Sequence, residues 1–219
     1  MTKIKYHPED DVLLKYVSGH YDTAYSLVLA SHVSQCLRCQ NTVALHQEIA
    51  GQALQEQAPV EMSISALDLL ERPVKTEAPK TRPQAPDYSK TFGIQTPGIL
   101  ATYLGKALDS LKWQSLSPSL KQHVIKADGK AVARLLWMAP GKSVPPHGHQ
   151  GEEMTLILSG GYYDGDEAYT AGDLHIADHK TPHVPVAMED KPCLVLTATD
   201  EPLIFSGMIP KLLQPFYKI

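Results

Sequence analysis

Apolar residues in the first third of the chain recur at helical spacing, and polar residues mark where each helix should begin. The expected N-caps, in chain order, are Asp10 or Asp11, Asp22, Ser34, and Ser63 or Ser65. The first helix should stop at Gly19, and the third should extend to Leu54. The fourth, over residues 64–70, is short and rich in leucine. The pattern predicts a small helical bundle.

Beyond residue 90 the pattern changes to short apolar runs separated by Gly, Pro and Asp. An amphipathic stretch over residues 99–108 comes first. The clearest runs that follow are residues 131–137, 154–158, 193–199 and 203–205. Such runs are typical of an all-β barrel or sandwich, and Cys193 should be an ordinary buried strand residue within it.

Residues 72–90 separate the two patterns. They contain four prolines and no apolar periodicity, which favours a semi-extended linker. We therefore predict an α + β protein of two domains, with a helical domain at 1–71, a linker at 72–90 and a β-rich domain at 91–219.

A histidine-rich segment in the β-rich half runs Gly141, five residues, His147-x-His149, three residues, Glu153, six residues, Gly160. On an extended strand, every second side chain points to the same face. Residues 147, 149 and 153 are all odd-numbered, so both imidazoles and the Glu153 carboxylate should converge. Two neutral imidazoles and a carboxylate suit a divalent transition metal. The spacing matches the first motif of the cupin β-barrels, which predicts a cupin jelly roll.

The second cupin motif is weaker. Gly172 is followed at the right distance by His183, which we predict as the fourth metal ligand, but three other positions of the motif are replaced. The rival histidines are His175 and His179. We expect His175 to be a strand residue that faces the barrel or is satisfied in its wall, and His179 to lie in a solvated turn. Such a ligand set accepts zinc, iron, manganese or nickel.

A second group of potential ligands lies in the helical half, as His32-x3-Cys36-x2-Cys39. On one helix these three side chains fall within a sector of about 60°. Two thiolates and an imidazole supply three of the four ligands of a tetrahedral zinc site. We predict His7, just before the first helix, as the fourth. The alternatives are His20 and His46.

Composition and charge narrow the choice of function. The 219 residues are 43% hydrophobic with a net charge of −4, which gives no general attraction to nucleic acid or anionic membrane. No signal-peptide pattern and no run of about 18 apolar residues is visible, so we expect a cytoplasmic protein without a membrane span. Residues 1–71 carry four lysines and arginines against nine acidic residues, a net of −5. An acidic module is a poor direct DNA binder and a suitable partner for a basic protein.

Taken together, the motifs resemble the ChrR-type zinc anti-sigma factors, which join a helical zinc module to a cupin. The resemblance covers His7 ahead of the first helix, the His32-Cys36-Cys39 motif and the four cupin positions. It implies zinc at both sites and no catalytic residues. It also implies that the helical module sequesters an extracytoplasmic-function sigma factor, and that the cupin domain releases it after a reactive-oxygen signal of the singlet-oxygen type.

Two other functions fit parts of the chain. A cupin dioxygenase would use iron on the three-histidine, one-glutamate site to oxidise a small molecule, since fold does not determine function. A structural zinc module could also tether a cupin that binds a small effector. The acidic zinc module favours the regulator, because an oxygenase has no need of it.

Overall fold

The computed structural model describes residues 3–61, 96–105, 108–125, 129–177 and 182–205. Four α-helices lie in these ranges: α1 Asp10–Val17, α2 Thr23–Val33, α3 Leu37–Gln55 and α4 Gly98–Leu104, followed by a 3-10 turn at Leu108–Ser110. The helix predicted at 64–70, the linker predicted at 72–90 and His179 lie outside the described residues. None of the described helices has the length and apolar character needed to cross a bilayer.

The helix boundaries confirm one predicted N-cap and correct two. Asp22 caps α2, and its carboxylate accepts hydrogen bonds from the backbone nitrogens of the second and third helical residues. Glu9 rather than Asp10 precedes α1, which places Asp10 inside the first turn. Ser34 has helical backbone angles and is the C-cap of α2, whereas the N-cap of α3 is Cys36, two residues later.

The β-rich half contains eleven strands within the described ranges. They are β1 Gln114–Ser117, β2 Leu120–Ile125, β3 Val132–Met138, β4 His147–His149, β5 Glu153–Ser159, β6 Gly161–Asp164, β7 Glu167–Thr170, β8 Leu174–Ala177, β9 Val186–Ala187, β10 Cys193–Thr199 and β11 Leu203–Phe205. They form a six-stranded sheet in the order β1-β2-β3-β10-β5-β8, a pair β11-β4 and a three-stranded sheet β7-β6-β9. The antiparallel arrangement is the predicted jelly roll, built from separate sheets rather than one closed ladder.

Every residue of β10 is buried, because both faces of the large sheet are covered. Cys193 and Val195 belong to a core that also includes Tyr162 of the small sheet. Leu194 and Leu196 belong to a second core, which they share with residues of α2. The helical half therefore packs directly on the large sheet, where α2 contacts β3, β5 and β10.

Hydrogen bonds reinforce this packing at the start of α2. The Asp22 carboxylate accepts a 2.8 Å hydrogen bond from the backbone nitrogen of Ala131, which precedes β3. The Tyr25 hydroxyl donates to the backbone oxygen of Glu152 at 2.7 Å. Since these partners are more than a hundred residues away in sequence, they fix the position of α2 on the sheet.

Candidate metal centres

The first predicted cluster assembles at the corner between α2 and α3. His32 lies in the last turn of α2, Cys36 is the N-cap of α3, and Cys39 lies in the first turn of α3. The prediction that these three share one helix face is therefore wrong, because residues 34–36 separate the two helices. His7 reaches the cluster from the extended segment before α1.

The spacing of the four side chains suits a tetrahedral metal. His32 Nε2 lies 3.3 Å from Cys39 Sγ, and His7 Nδ1 lies 3.2 Å from Cys36 Sγ and 3.7 Å from Cys39 Sγ. Zinc with Zn–S of about 2.3 Å and Zn–N of about 2.0–2.1 Å requires nitrogen–sulfur separations of about 3.6 Å. The ligand atoms of all four residues lie within 4.8 Å of one another.

A hydrogen bond at Nδ1 also orients His32 so that its Nε2 can bind a cation. Its Nδ1 lies 2.9 Å from the backbone oxygen of Gly172, so Nδ1 must carry the proton and Nε2 must direct a lone pair toward the thiols. Burial lowers the pKa of His32 to about 4, which keeps the ring neutral. Burial and the neighbouring Cys36 raise the pKa of Cys39 to about 12, an effect that a bound cation reverses. The residues therefore fit a closed, structural type of zinc site.

The two alternative histidines lie elsewhere. His46 Nε2 lies 3.5 Å from a carboxylate oxygen of Asp10, and His20 is exposed in the turn after α1. Of the three candidates, the structure brings His7 into the cluster.

The second cluster lies in the barrel, where three imidazoles meet. His147 and His149 come from β4, and His183 is held beside them by two backbone hydrogen bonds with His147. His183 Nε2 lies 2.9 Å from His149 Nε2 and 3.1 Å from His147 Nε2. The rings of His147 and His149 are buried, so the group is removed from bulk water.

The opposite nitrogens of the rings have partners of their own. His147 Nδ1 lies 2.8 Å from the backbone oxygen of Pro145, and His183 Nδ1 lies 2.7 Å from a carboxylate oxygen of Asp164. Both Nδ1 atoms must therefore carry protons, which leaves lone pairs on the converging Nε2 atoms. Burial lowers the pKa of His147 and brings that of His149 to about 4, so these rings stay neutral. Lone pairs that point at one another repel unless a cation lies between them. The three histidines therefore suit a bound metal ion.

Glu153 does not join these three nitrogens. The parity argument assumed one strand through residues 147–153, but β4 ends at His149 and Glu153 begins β5 in a different sheet. One carboxylate oxygen lies 3.5 Å from His149 Nδ1, and the other accepts a hydrogen bond from the Thr155 hydroxyl. Glu153 thus contacts the outer side of His149 instead of the point where the Nε2 atoms meet.

Asp164 and His175 adjoin the barrel cluster, and Asp164 was not predicted as a site residue. Together with His183 they form a further group of metal-ligand type. His175 is a residue of β8, and its Nδ1 lies 2.8 Å from the Tyr162 hydroxyl. A cavity of about 650 Å³ opens beside these residues, lined by Asp164, Gly165, His175, Ile176, Ala177, Pro182, His183 and Val184. No fixed spacing links Asp164 to the cupin motifs, so the sequence held no signal for it.

Comparison with known proteins shows that the helical half and the β-rich half of the chain are both similar to the same kind of protein. Residues 104–201 match the family described as the ChrR cupin-like domain. The anti-sigma-E factor ChrR of Cereibacter sphaeroides is 37% identical over 220 aligned positions, which cover 99% of each chain. A crystal structure of Rhodobacter sphaeroides SigE in complex with the anti-sigma ChrR matches with a TM-score of 0.76 and 34% identity, and covers 90% of this chain and 100% of that one. The chain therefore belongs to the ChrR family of anti-sigma factors.

Proposed function

We propose that this protein is a non-enzymatic regulator that sequesters an extracytoplasmic-function sigma factor and releases it after a reactive-oxygen signal received by the cupin domain. The observation that carries the proposal is the 37% identity to an anti-sigma factor along 99% of the chain. Residues 1–71 are the proposed sigma-binding domain, 72–90 the linker and 91–219 the cupin domain. Because a sigma factor acts together with RNA polymerase, we expect the protein to act in the cytoplasm. We expect no direct DNA binding and no membrane attachment.

Both metal centres are proposed to hold zinc. In the N-terminal centre His7, His32, Cys36 and Cys39 fill all four positions, so the metal there stabilises the fold and leaves no position for a substrate. In the barrel His147, His149 and His183 hold the ion, and Glu153 remains the predicted fourth ligand. Binding through Glu153 requires its carboxylate to leave Nδ1 of His149.

The surface of α3 offers a docking site for the sigma factor. Leu45 and Ile49 lie one helical turn apart and are each 55% exposed, whereas Cys39 and Val43 of the same helix are buried. Exposed apolar pairs on a helix are typical of sites that another protein covers. The acidic charge of residues 1–71 complements a basic, DNA-binding partner.

The cavity beside Asp164, His175 and His183 is the place where the cupin domain would accept a small ligand. Its lining includes the polar and charged side chains of Asp164, His175 and His183 as well as the apolar side chains of Pro182 and Val184. The size is in the range of small-molecule sites in proteins, about 300–1,000 Å³. A ligand or oxidant that enters there reaches the barrel histidines directly.

Co-purification with an extracytoplasmic-function sigma factor from the same genome tests the proposal. The unchanged chain should bind the sigma factor, whereas Leu45→Asp with Ile49→Asp should reduce the affinity by more than tenfold. Ile99→Asp on α4, at a side chain of similar exposure, is the matched control and should bind normally. Failure of the unchanged chain to bind any such sigma factor would contradict the proposed function. Normal binding by the doubly substituted chain would remove α3 as the docking surface.

A further inference from the structure

A single turn of the barrel contacts His32 of the N-terminal centre and the segment that carries His7. This turn, residues 170–174, joins β7 to β8. Its Gly172 backbone oxygen accepts the hydrogen bond from His32 Nδ1 described above. Its Asp173 carboxylate accepts hydrogen bonds from the backbone nitrogens of Lys5 and Tyr6, at 2.6 and 3.0 Å, and His7 is the next residue.

The contact between residues 4–7 and this turn is tight. The backbone nitrogen of Leu174, at the start of β8, donates a hydrogen bond to the backbone oxygen of Tyr6 at 3.2 Å. Asp173 is 1% exposed, and its second carboxylate oxygen accepts hydrogen bonds from the backbone and hydroxyl of Thr170. Gly172 has a φ of +96°, and a Cβ there would lie 2.7 Å from Ile4. A shift of the turn therefore moves the ligands of the N-terminal centre.

Packed aromatic rings lead from the same segment toward the barrel cluster. The ring of Tyr6 lies 4.4 Å from that of Tyr169, and Tyr169 stacks on His175 at 4.3 Å with 21° between the planes. His175 Nε2 lies 3.8 Å from the Asp164 carboxylate, which contacts Nδ1 of His183 at 2.7 Å. Each member of this series touches the next by packing or by a polar contact.

We propose that the β7–β8 turn and the stack Tyr6–Tyr169–His175 couple the two metal centres, so that loss of metal from the barrel histidines weakens metal binding at the N-terminal cluster. When the barrel metal leaves, the converging lone pairs of the histidines repel and His183 shifts against Asp164. His175 and Tyr169 move with His183, so the β7–β8 turn no longer keeps its position against Tyr6 and His32. The inference rests on the two metal sites of the proposed function and not on the sigma factor. By linkage, the N-terminal metal must affect the barrel affinity by the same factor.

Cobalt-substituted full-length protein tests the coupling. A thiolate ligand gives cobalt(II) a charge-transfer band, and the barrel cluster contains no cysteine, so the band reports the N-terminal centre alone. Competition with a chelator measures the affinity of that centre at equilibrium. We expect His147→Ala with His149→Ala to lower it by about 5- to 150-fold, the usual range of coupling between sites. Should that variant fail to fold, the isosteric Asp164→Asn is expected to lower it in the same direction.

Tyr169→Leu distinguishes coupling from general stability. In this background the barrel substitutions should no longer change the cobalt affinity of the N-terminal centre. Tyr163→Leu, a half-exposed tyrosine of β6, is the matched control and should leave the coupling intact. An unchanged cobalt affinity of the N-terminal centre in folded barrel variants would overturn the proposal. So would an equal loss of that affinity in chains with and without Tyr169. Coupling in a protein that binds no sigma factor would refute the proposed function and leave this inference standing.

Discussion

Replacing Asp22 tests whether the helical half and the barrel unfold as one unit. One carboxylate oxygen caps α2 by accepting a hydrogen bond from the Ala24 nitrogen at 3.1 Å. The other accepts from the nitrogen of Ala131 at 2.8 Å, and Ala131 is buried, so water does not easily replace the lost acceptor. Removing an N-cap costs about 1 kcal/mol. Leaving a buried N–H without an acceptor costs about 1–3 kcal/mol. Asp22→Ala should therefore lower the free energy of unfolding by about 2–4 kcal/mol.

Two further substitutions separate these contributions. Asp22→Asn has a single carbonyl oxygen, which serves either the cap or Ala131, so it should cost about 1–3 kcal/mol. Asp11→Ala is the control, because Asp11 is exposed and its pairing with Lys15 at 3.2 Å across one helical turn is worth only about 0.2–0.5 kcal/mol.

Urea unfolding of the metal-loaded full chain measures these values with two probes. Both tryptophans, Trp113 and Trp137, lie in the barrel half, so fluorescence follows the barrel, while far-ultraviolet circular dichroism follows the helices. If the shared core unfolds cooperatively, Asp22→Ala shifts both transitions by the same amount. A shift in the circular dichroism alone would refute the reasoning. So would a cost for Asp22→Ala no greater than that for Asp11→Ala.

Four other outcomes test the metal centres, the shared core and the absence of oxygenase activity. Cys36→Ala should remove one metal equivalent and the sigma partner together, whereas Cys193→Ala in the barrel core should retain both, as metal analysis and co-purification will show. Leu29→Ala, at a fully buried position of α2, should lower the free energy of unfolding by about 2–5 kcal/mol in urea titrations. Protein from metal-replete cells should contain about two zinc ions per chain, one for each ligand group. It should consume no oxygen with diketone, thiol or flavonoid substrates; iron with substrate-dependent uptake would instead indicate the dioxygenase.

Local pattern was enough to predict much of the fold. The strands at residues 193–199 and 203–205 have the predicted bounds, because each is an unbroken run of β-branched and apolar residues, the first between Pro192 and Asp200 and the second after Pro202. Asp22 was identified as an N-cap because a capping carboxylate acts within its own helical turn. His32, Cys36 and Cys39 were predicted as a cluster from their spacing, and they lie together in the structure although they do not share one helix.

The same local pattern did not predict how distant segments of the chain pack against one another. The bend at residues 150–152 ends β4, and this separates Glu153 from the strand of His147 and His149. Asp173 and Asp164 carry no motif, since their roles depend on partners in segments far away in sequence. The packing of α2 against the large sheet was also missed, because an apolar helix face does not identify the surface that covers it.

A chain that ends at residue 85 separates the folding contributions of zinc and of the barrel. The proline-rich segment predicts that residues 1–71 act alone, so the truncated chain should bind the sigma factor and ignore the signal. Val28 and Leu29 of α2 are fully buried in the core shared with the barrel, and truncation exposes part of that surface. A module of about 70 residues with a reduced core depends on a metal for its stability.

We therefore expect the truncated chain to lose most of its helical circular dichroism when a chelator removes zinc. The full chain should retain it, because the barrel still holds α2. Cys36→Ala supplies the matched test without chelator, and it should unfold the truncated chain but not the full one. Full helicity in the zinc-free truncated chain would show that α1–α3 are stable without either support. Equal losses in both chains would show that zinc, rather than packing on the sheet, maintains α2.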